Sequence, residues 1–253
     1  MWLVDPFLAS EVRFRRAFLL STLALGALLA VVLLSYPSID LTLSRALKAG
    51  CGNTRGWCTG WLVEGLRQLL ISLFMMGCGA AALLGVAAIY WRKHWTALDL
   101  ARCLFLVAVL VVGPGLVANS VFKDNWGRAR PREVVELGGT KPFTPPLLPA
   151  RSCSRNCSFV SGEASSMFVL FLAPALLLPG IRITLIGTAV LLGTAAGAIR
   201  MMQGAHFLSD VLFAGVFMAL TVGLLHVAIF GALRSGSMVS GRAEGARLGA
   251  HAE

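Results

Sequence analysis

Long apolar stretches separated by short polar segments alternate along the 253-residue chain. A helix needs about 20 apolar residues to cross a hydrocarbon core of roughly 30 Å. Six stretches are about that long, and they cover residues 17–34, 69–91, 103–122, 164–181, 183–199 and 211–233. The pattern predicts an all-α, polytopic membrane protein with about six transmembrane helices in a single domain, residues 1–233.

Composition supports this prediction, because hydrophobic residues make up 57% of the chain and charged residues only 13%. Soluble domains carry about 25% charged residues. The net charge of +10 indicates membrane lipids and phosphate as partners, since the sequence has no motif that binds nucleic acid. The first stretch follows three arginines and resembles a signal peptide, but it is longer than one, which predicts a retained span.

Basic residues in the short connections predict the orientation of the spans, because Lys and Arg concentrate in cytoplasmic loops. One side of the predicted topology holds Arg13, Arg15, Arg16, Arg92, Lys93, Arg182, Arg234, Arg242 and Arg247. We expect this side to face the cytoplasm of a bacterial inner membrane, with both termini in it and residues 234–253 as a disordered tail. Two sizeable loops, about 35–67 and 123–162, then lie on the periplasmic side.

Four of the six cysteines lie in these two periplasmic loops, one close pair in each. Cys51 and Cys58 are in the first loop, and Cys153 and Cys157 are in the second. Pairs on the outer side favour two short disulfides in an oxidising compartment, with free thiols or a four-cysteine metal site as alternatives. The spacings do not match the common zinc patterns, so no metal is expected.

Three polar clusters at the outer ends of predicted spans combine residue types that bind and transfer phosphate. They contain Lys123 and Arg130, then Ser161, Gly162 and Glu163, and finally Arg200, His206 and Asp210. Basic side chains can bind a phosphoryl dianion, and Ser161-Gly162 at a helix start would add free backbone N–H groups. Because ionisable residues near a span are costly, three such clusters on one side favour a functional site.

His206 and Asp210 are four residues apart and share one face if they are helical. If Asp210 accepts the proton of Nδ1, then Nε2 of His206 is left free as a nucleophile toward phosphorus. A His with an Asp four residues later is also a common structural pair within helices. The neighbouring basic clusters favour a catalytic role for the pair, because their positive charges can stabilise a phosphoryl transition state.

These motifs resemble the type 2 phosphatidic acid phosphatases, whose pattern is Lys-x6-Arg-Pro, then Pro-Ser-Gly-His, then Ser-Arg-x5-His-x3-Asp. The first motif matches fully, and the third matches except that Ile199 replaces the leading Ser. The resemblance implies a six-helix bundle and a metal-independent phosphohydrolase without a cofactor, which forms a phosphohistidine on His206 oriented by Asp210. The phosphate-binding residues that it implies are Lys123, Arg130, Ser161, Gly162 and Arg200.

The second motif departs from the family pattern, because Val160-Ser161-Gly162-Glu163 stands where the family has Pro-Ser-Gly-His. In the family that histidine protonates the leaving oxygen. Glu163 replaces it as the acid if desolvation and the phosphate anion keep its carboxyl neutral, although nearby Lys and Arg oppose this. Two other interpretations stay open: water supplies the proton, or the site is inactive.

Within the family, the segment from Cys157 to Glu163 is similar to that of bacterial lipid A phosphatases that act at the 4′ position. The expected function is removal of a phosphate monoester, favouring lipid A 4′-phosphate, from a membrane lipid at the periplasmic face. Alternative enzymes are an undecaprenyl diphosphate or phosphatidylglycerophosphate phosphatase and a lipid phosphotransferase. The alternative without catalysis is a degenerate lipid-binding membrane protein.

Overall fold

The computed structural model describes residues 6–51, 57–91 and 96–249, which form helices and connecting loops without a β-strand. Within these residues the fourth α-helix continues directly into a π-helix over Val111–Lys123. The α-helices are α1 (Pro6–Ser35), α2 (Ser38–Gly50), α3 (Trp61–Tyr90), α4 (Ala97–Leu110), α5 (Gly162–Leu177), α6 (Arg182–Met202) and α7 (Leu208–Gly249). The predicted all-α fold is confirmed.

Five of the described segments are long and apolar enough to cross a membrane: Glu11–Ser35, Trp61–Tyr90, Leu98–Lys123, Pro179–Met202 and Leu208–Gly231. Each coincides with one of the predicted spans. The sixth predicted span is α5, an apolar helix of 16 residues. At 1.5 Å per residue α5 is about 24 Å long, shorter than the hydrocarbon core.

The short helix α5 lies at the centre of the helix bundle, where it packs against α3, α4, α6 and α7. Nine of its residues are buried, including Phe168. A Cβ atom on Gly193 of α6 would come within 2.7 Å of the Phe168 ring, and one on Gly215 of α7 within 3.0 Å. Glycine therefore lets both neighbours approach α5 closely, which brings the start of α5 beside the end of α6 and the start of α7.

The helix changes its hydrogen-bond pattern near Gly113-Pro114-Gly115. The helix turns from α to π at Val111, and Pro114 lies inside the π-helical part. Proline has no backbone N–H and so cannot continue the α-helical ladder. The π-helix ends at Lys123, and the first polar cluster follows it.

Two stretches differ from the sequence prediction. The first periplasmic loop contains a 13-residue helix, α2, whose Asp40 and Ser44 are buried. The second is the start of the predicted disordered tail, where α7 continues as a helix to Gly249. Residues 250–253 and the basic pair Arg92-Lys93, used for the orientation, lie outside the described residues.

Candidate active site

The structure brings the three predicted clusters together at one end of the helix bundle. Lys123 ends the π-helix, and Ser161 directly precedes α5. Arg200 is in the last turn of α6, and Asp210 is in the first turn of α7. His206 lies in the short connection between these two helices and is 2% exposed.

His206 is held in one orientation and one tautomer by a backbone carbonyl. Its Nδ1 lies 2.7 Å from the carbonyl oxygen of Ser158. A carbonyl oxygen can only accept a hydrogen bond, so Nδ1 carries the proton and Nε2 keeps its lone pair. Burial lowers the pKa of His206 to about 4, although the carboxylate of Asp210 acts in the opposite direction. The ring is therefore neutral near pH 7, as a nucleophile must be.

Asp210 supports this arrangement less directly than the sequence predicts. Its Oδ2 is 3.6 Å from Nδ1 of His206, which is beyond a hydrogen bond. That oxygen instead accepts from the hydroxyl of Ser158 and from the backbone N–H of Phe207, 2.8 Å away. Asp210 thus fixes the two chain segments that hold the imidazole, and its charge remains close to the ring.

A buried ion network lies behind Asp210 and contains residues that sequence reasoning missed. Arg128 is fully buried, and its Nη1 donates to Asp210 Oδ1 at 2.5 Å. Its Nη2 donates to Asp40 of α2 at 2.8 Å, and Asp40 also accepts from the backbone N–H and hydroxyl of Ser209. The network joins α2, the outer loop and α7 beneath His206.

Unused polar groups lie at the start of α5, where the sequence predicts a phosphate cradle. The hydroxyl of Ser161 is buried and has no hydrogen-bond partner. Gly162 opens α5, and a Cβ atom built on it would stand 2.6 Å from Nζ of Lys123. A helix start with free N–H groups, an unpaired hydroxyl and an ammonium group together bind an anion such as phosphate.

Arg130 lies in the same region and is fixed by the loop before α5. Its Nη2 donates to the backbone oxygen of Asn156 at 2.6 Å and to that residue's Oδ1 at 3.0 Å. Burial lowers the pKa of Arg130, whose guanidinium nevertheless stays charged at neutral pH. The charges of Arg130 and Arg200 act on Lys123, so the three cations lie within electrostatic range of one another. An anion would relieve their mutual repulsion.

The structure forms both disulfides, Cys51–Cys58 and Cys153–Cys157. The second closes the loop that contains Asn156, the partner of Arg130. The backbone N–H of Cys157 also donates to the carbonyl of Lys123 at 2.8 Å. In the first loop the backbone N–H of Cys58 donates to the backbone carbonyl of Met202, at the end of α6, across 3.0 Å. The Cys153–Cys157 disulfide thus holds the segment of Asn156 beside Lys123, and Cys58 is tied to the end of α6.

Glu163, the candidate general acid, forms an ion pair with an arginine that the sequence analysis did not single out. Nε of Arg67 on α3 lies 3.0 Å from one carboxylate oxygen and 3.2 Å from the other. Nε of Arg200 lies 3.5 Å from the same carboxylate. In each of these contacts Glu163 is the acceptor, whereas a general acid must donate a proton.

The fold and the site are those of a polytopic helical membrane protein with a buried histidine beside cationic side chains. Residues 100–234 match the PAP2 superfamily. The chain is 42% identical over 131 residues to the lipid A 4′-phosphatase of Francisella tularensis subsp. novicida, covering 51% of this chain and 59% of that protein. It is 31% identical over 207 residues to the lipid A 4′-phosphatase of Rhizobium etli, covering 77% and 80%. The chain belongs to the PAP2 superfamily.

The alignment with the Francisella protein spans less than two thirds of that protein's length. Among solved structures, the crystal structure of a PAP2-type phosphatidylglycerolphosphate phosphatase from Bacillus subtilis aligns with a TM-score of 0.49 and 19% identity. That alignment covers 85% of this chain and 96% of the Bacillus chain. Family membership therefore rests on the sequence matches, and they confirm the resemblance that the motifs indicate.

Proposed function

We propose that the protein is a membrane lipid phosphatase that removes the 4′-phosphate of lipid A through a phosphohistidine on His206. The observation that carries the chemistry is the hydrogen bond from His206 Nδ1 to the Ser158 carbonyl, because it leaves Nε2 as the nucleophile. The names of the Francisella and Rhizobium relatives support the lipid A substrate.

In the first step Nε2 of His206 attacks phosphorus in line, and the bond between phosphorus and the lipid oxygen breaks. Lys123, Arg130 and Arg200 neutralise the phosphoryl oxygens, with help from the Ser161 hydroxyl and the Gly162 N–H. The imidazole gains positive charge in this step, and the carboxylate of Asp210 stabilises it from 3.6 Å. These are the roles that the family resemblance implies for each residue.

The leaving oxygen needs a proton, and we assign that proton to water. Glu163 accepts hydrogen bonds from Arg67 and faces Arg200, so its oxygens are already used as acceptors. In the second step a water molecule attacks the phosphohistidine, and the phosphorus–nitrogen bond breaks. Inorganic phosphate leaves, and His206 returns to its neutral form.

We further propose that this end of the bundle faces the periplasm of a bacterial inner membrane, with both termini in the cytoplasm. The two disulfides support this orientation, because both lie at the end that contains His206 and such bonds persist in an oxidising compartment. The basic residues of the short connections support it independently.

The proposal is tested by inorganic phosphate release from detergent-solubilised protein in the presence of EDTA. Lipid A, undecaprenyl diphosphate, phosphatidylglycerophosphate and phosphatidic acid serve as the substrates, and the His206→Ala variant runs alongside. We expect release from lipid A that survives EDTA and disappears in the variant. Faster phosphate release from another lipid would identify that lipid as the substrate instead of lipid A. If folded protein releases no phosphate from any of the lipids, the phosphatase function is contradicted.

A further inference from the structure

A closed ring of polar side chains joins the outer ends of α3, α5 and α6 beside the phosphate cradle. Arg67 donates from Nη1 to Glu64 at 2.8 Å and from Nη2 to Glu163 at 2.9 Å. Gln203 links Glu64 to Arg200. Its Nε2 donates a hydrogen bond to Glu64 at 3.2 Å, and its Oε1 accepts one from Arg200. The contact between Arg200 and Glu163, 3.5 Å long, closes the ring.

The two arginines of the ring are not equivalent. Nε and Nη2 of Arg67 both donate to Oε1 of Glu163, and Nε also lies 3.2 Å from Oε2, so both carboxylate oxygens have charge-assisted contacts with Arg67. Nε of Arg200 is buried and has no hydrogen-bond partner, since 3.5 Å is too long for one. Arg67 therefore satisfies the carboxylate, and Arg200 keeps a donor for another ligand.

The charge balance of the ring depends on the pairing of Arg67 with Glu163. The ring contains two arginines and two glutamates, so its formal charges sum to zero. Without Arg67, the charge of Glu163 would be left facing Arg200 and would draw that guanidinium into a direct pair. The same uncompensated charge would repel a phosphate dianion, because Glu163 also acts electrostatically on Lys123.

We propose that Arg67 is a positioning residue of the phosphate site: by neutralising Glu163 it leaves Arg200 free to bind the phosphoryl group. This role rests on the proposed function and deepens it. It explains how a carboxylate is accommodated where the family has a histidine, next to a site that must attract an anion. Arg67 acts through Arg200 and touches no reacting atom.

The test is a comparison of single and double variants in which inorganic phosphate is the ligand and calorimetry measures its dissociation constant. Arg67→Ala is expected to weaken phosphate binding about tenfold, because it leaves Glu163 uncompensated. The double variant Arg67→Ala/Glu163→Ala is expected to bind phosphate within about threefold of the wild type, because both members of the pair are gone. Arg67→Lys should retain most of the binding.

Arg102→Ala is the matched control, since Arg102 pairs with Asp99 three residues away on a helix surface outside the ring. It should leave phosphate binding unchanged. A double variant that binds as weakly as Arg67→Ala would show that Arg67 only ties the helices together, and this would overturn the proposal. So would an Arg67→Ala protein with wild-type affinity.

Lipid hydrolysis is measured on the same proteins to separate the two proposals. If the wild type releases no phosphate from any lipid but shows the expected pattern of binding, the phosphatase function fails and the role of Arg67 stands. If the wild type turns lipid over and the double variant does not regain binding, the role of Arg67 fails alone. Thermal unfolding of each variant in detergent confirms that the proteins compared are folded.

Discussion

Arg128 donates a hydrogen bond to Asp210 across 2.5 Å, and both side chains are fully buried. The same guanidinium pairs with Asp40, so one buried cation holds two carboxylates from different helices. Removal of one partner from a buried ion pair costs about 3–5 kcal/mol, because it leaves an uncompensated charge. The position of Asp210, and through Ser158 that of His206, depends on this arginine.

We predict that Arg128→Ala lowers the free energy of unfolding by about that amount and abolishes turnover. Thermal unfolding in detergent and phosphate release measure the two effects. Arg132→Ala is the control, because Arg132 is an exposed side chain of the same loop. An Arg128→Ala protein with wild-type unfolding temperature and activity would show that the network does not support the site.

The pH dependence of kcat/KM reports the nucleophile in the free protein. Because His206 reacts only when neutral and its pKa is lowered to about 4, activity is retained as the pH falls through 6.5 and is lost near 4. The profile must be corrected for the substrate phosphate, whose second pKa is about 6. Asp210→Asn removes a charge that raises the pKa of His206, so the acidic limb should move to still lower pH. An acidic limb near pH 6.5 after correction would contradict a buried, neutral His206.

Gly162→Ala tests the proposed phosphate cradle where Gly162 and Lys123 approach each other closely. The added methyl group would meet Nζ of Lys123 at 2.6 Å, so the lysine must move away from the start of α5. Loss of one electrostatic donor typically costs about 10²–10³-fold in catalysis, and we expect a fall in kcat/KM of that order with unchanged helix content. Gly187→Ala on α6 is the control, since a Cβ atom there meets nothing within 4 Å. Equal activity of the two variants would contradict the cradle.

Glu163→Gln separates the two possible sources of the leaving-group proton. Glutamine keeps an oxygen that accepts from Arg67 but has no acidic proton. If water supplies the proton, Glu163→Gln should change the rate of hydrolysis of two kinds of substrate by the same factor. One is a lipid monoester, which has a poor leaving group, and the other is 4-nitrophenyl phosphate, whose leaving group needs no proton. A loss of about 10²–10⁴-fold confined to the lipid substrate would identify Glu163 as the general acid.

The fold was largely predictable because long apolar stretches have few alternatives to helical spans. The helix α2 was not predicted, because it is not a long apolar stretch. Its apolar residues Ile39, Leu43 and Leu47 recur every four residues and pack against the core. Spacing of that kind indicates an amphipathic helix and could have found α2. Asp40 was missed with it, because an acidic residue in an outer loop gives no sign of burial.

The proximity of the motif residues could be predicted, because each lies in a short segment with a recognisable spacing at the end of a predicted span. The residues that position them could not, since their partners are distant in sequence. Arg128 and Asp40 are 88 residues apart, and Arg67 and Glu163 are 96 residues apart. Only the packing of α2, α3 and α5 brings these charges together. The hydrogen bond from His206 to a backbone carbonyl has no signature in the sequence at all.

The proposed mechanism requires that His206 becomes phosphorylated during turnover. To test this, the protein is mixed with lipid A that carries a labelled 4′-phosphate, and the reaction is stopped rapidly without acid. Mass spectrometry then identifies the residue that carries the label. We predict an acid-labile, base-stable phosphoryl group on His206 that forms and decays at the rate of turnover and is absent from His206→Ala. Steady release of phosphate with no label on His206 at any time would contradict the mechanism.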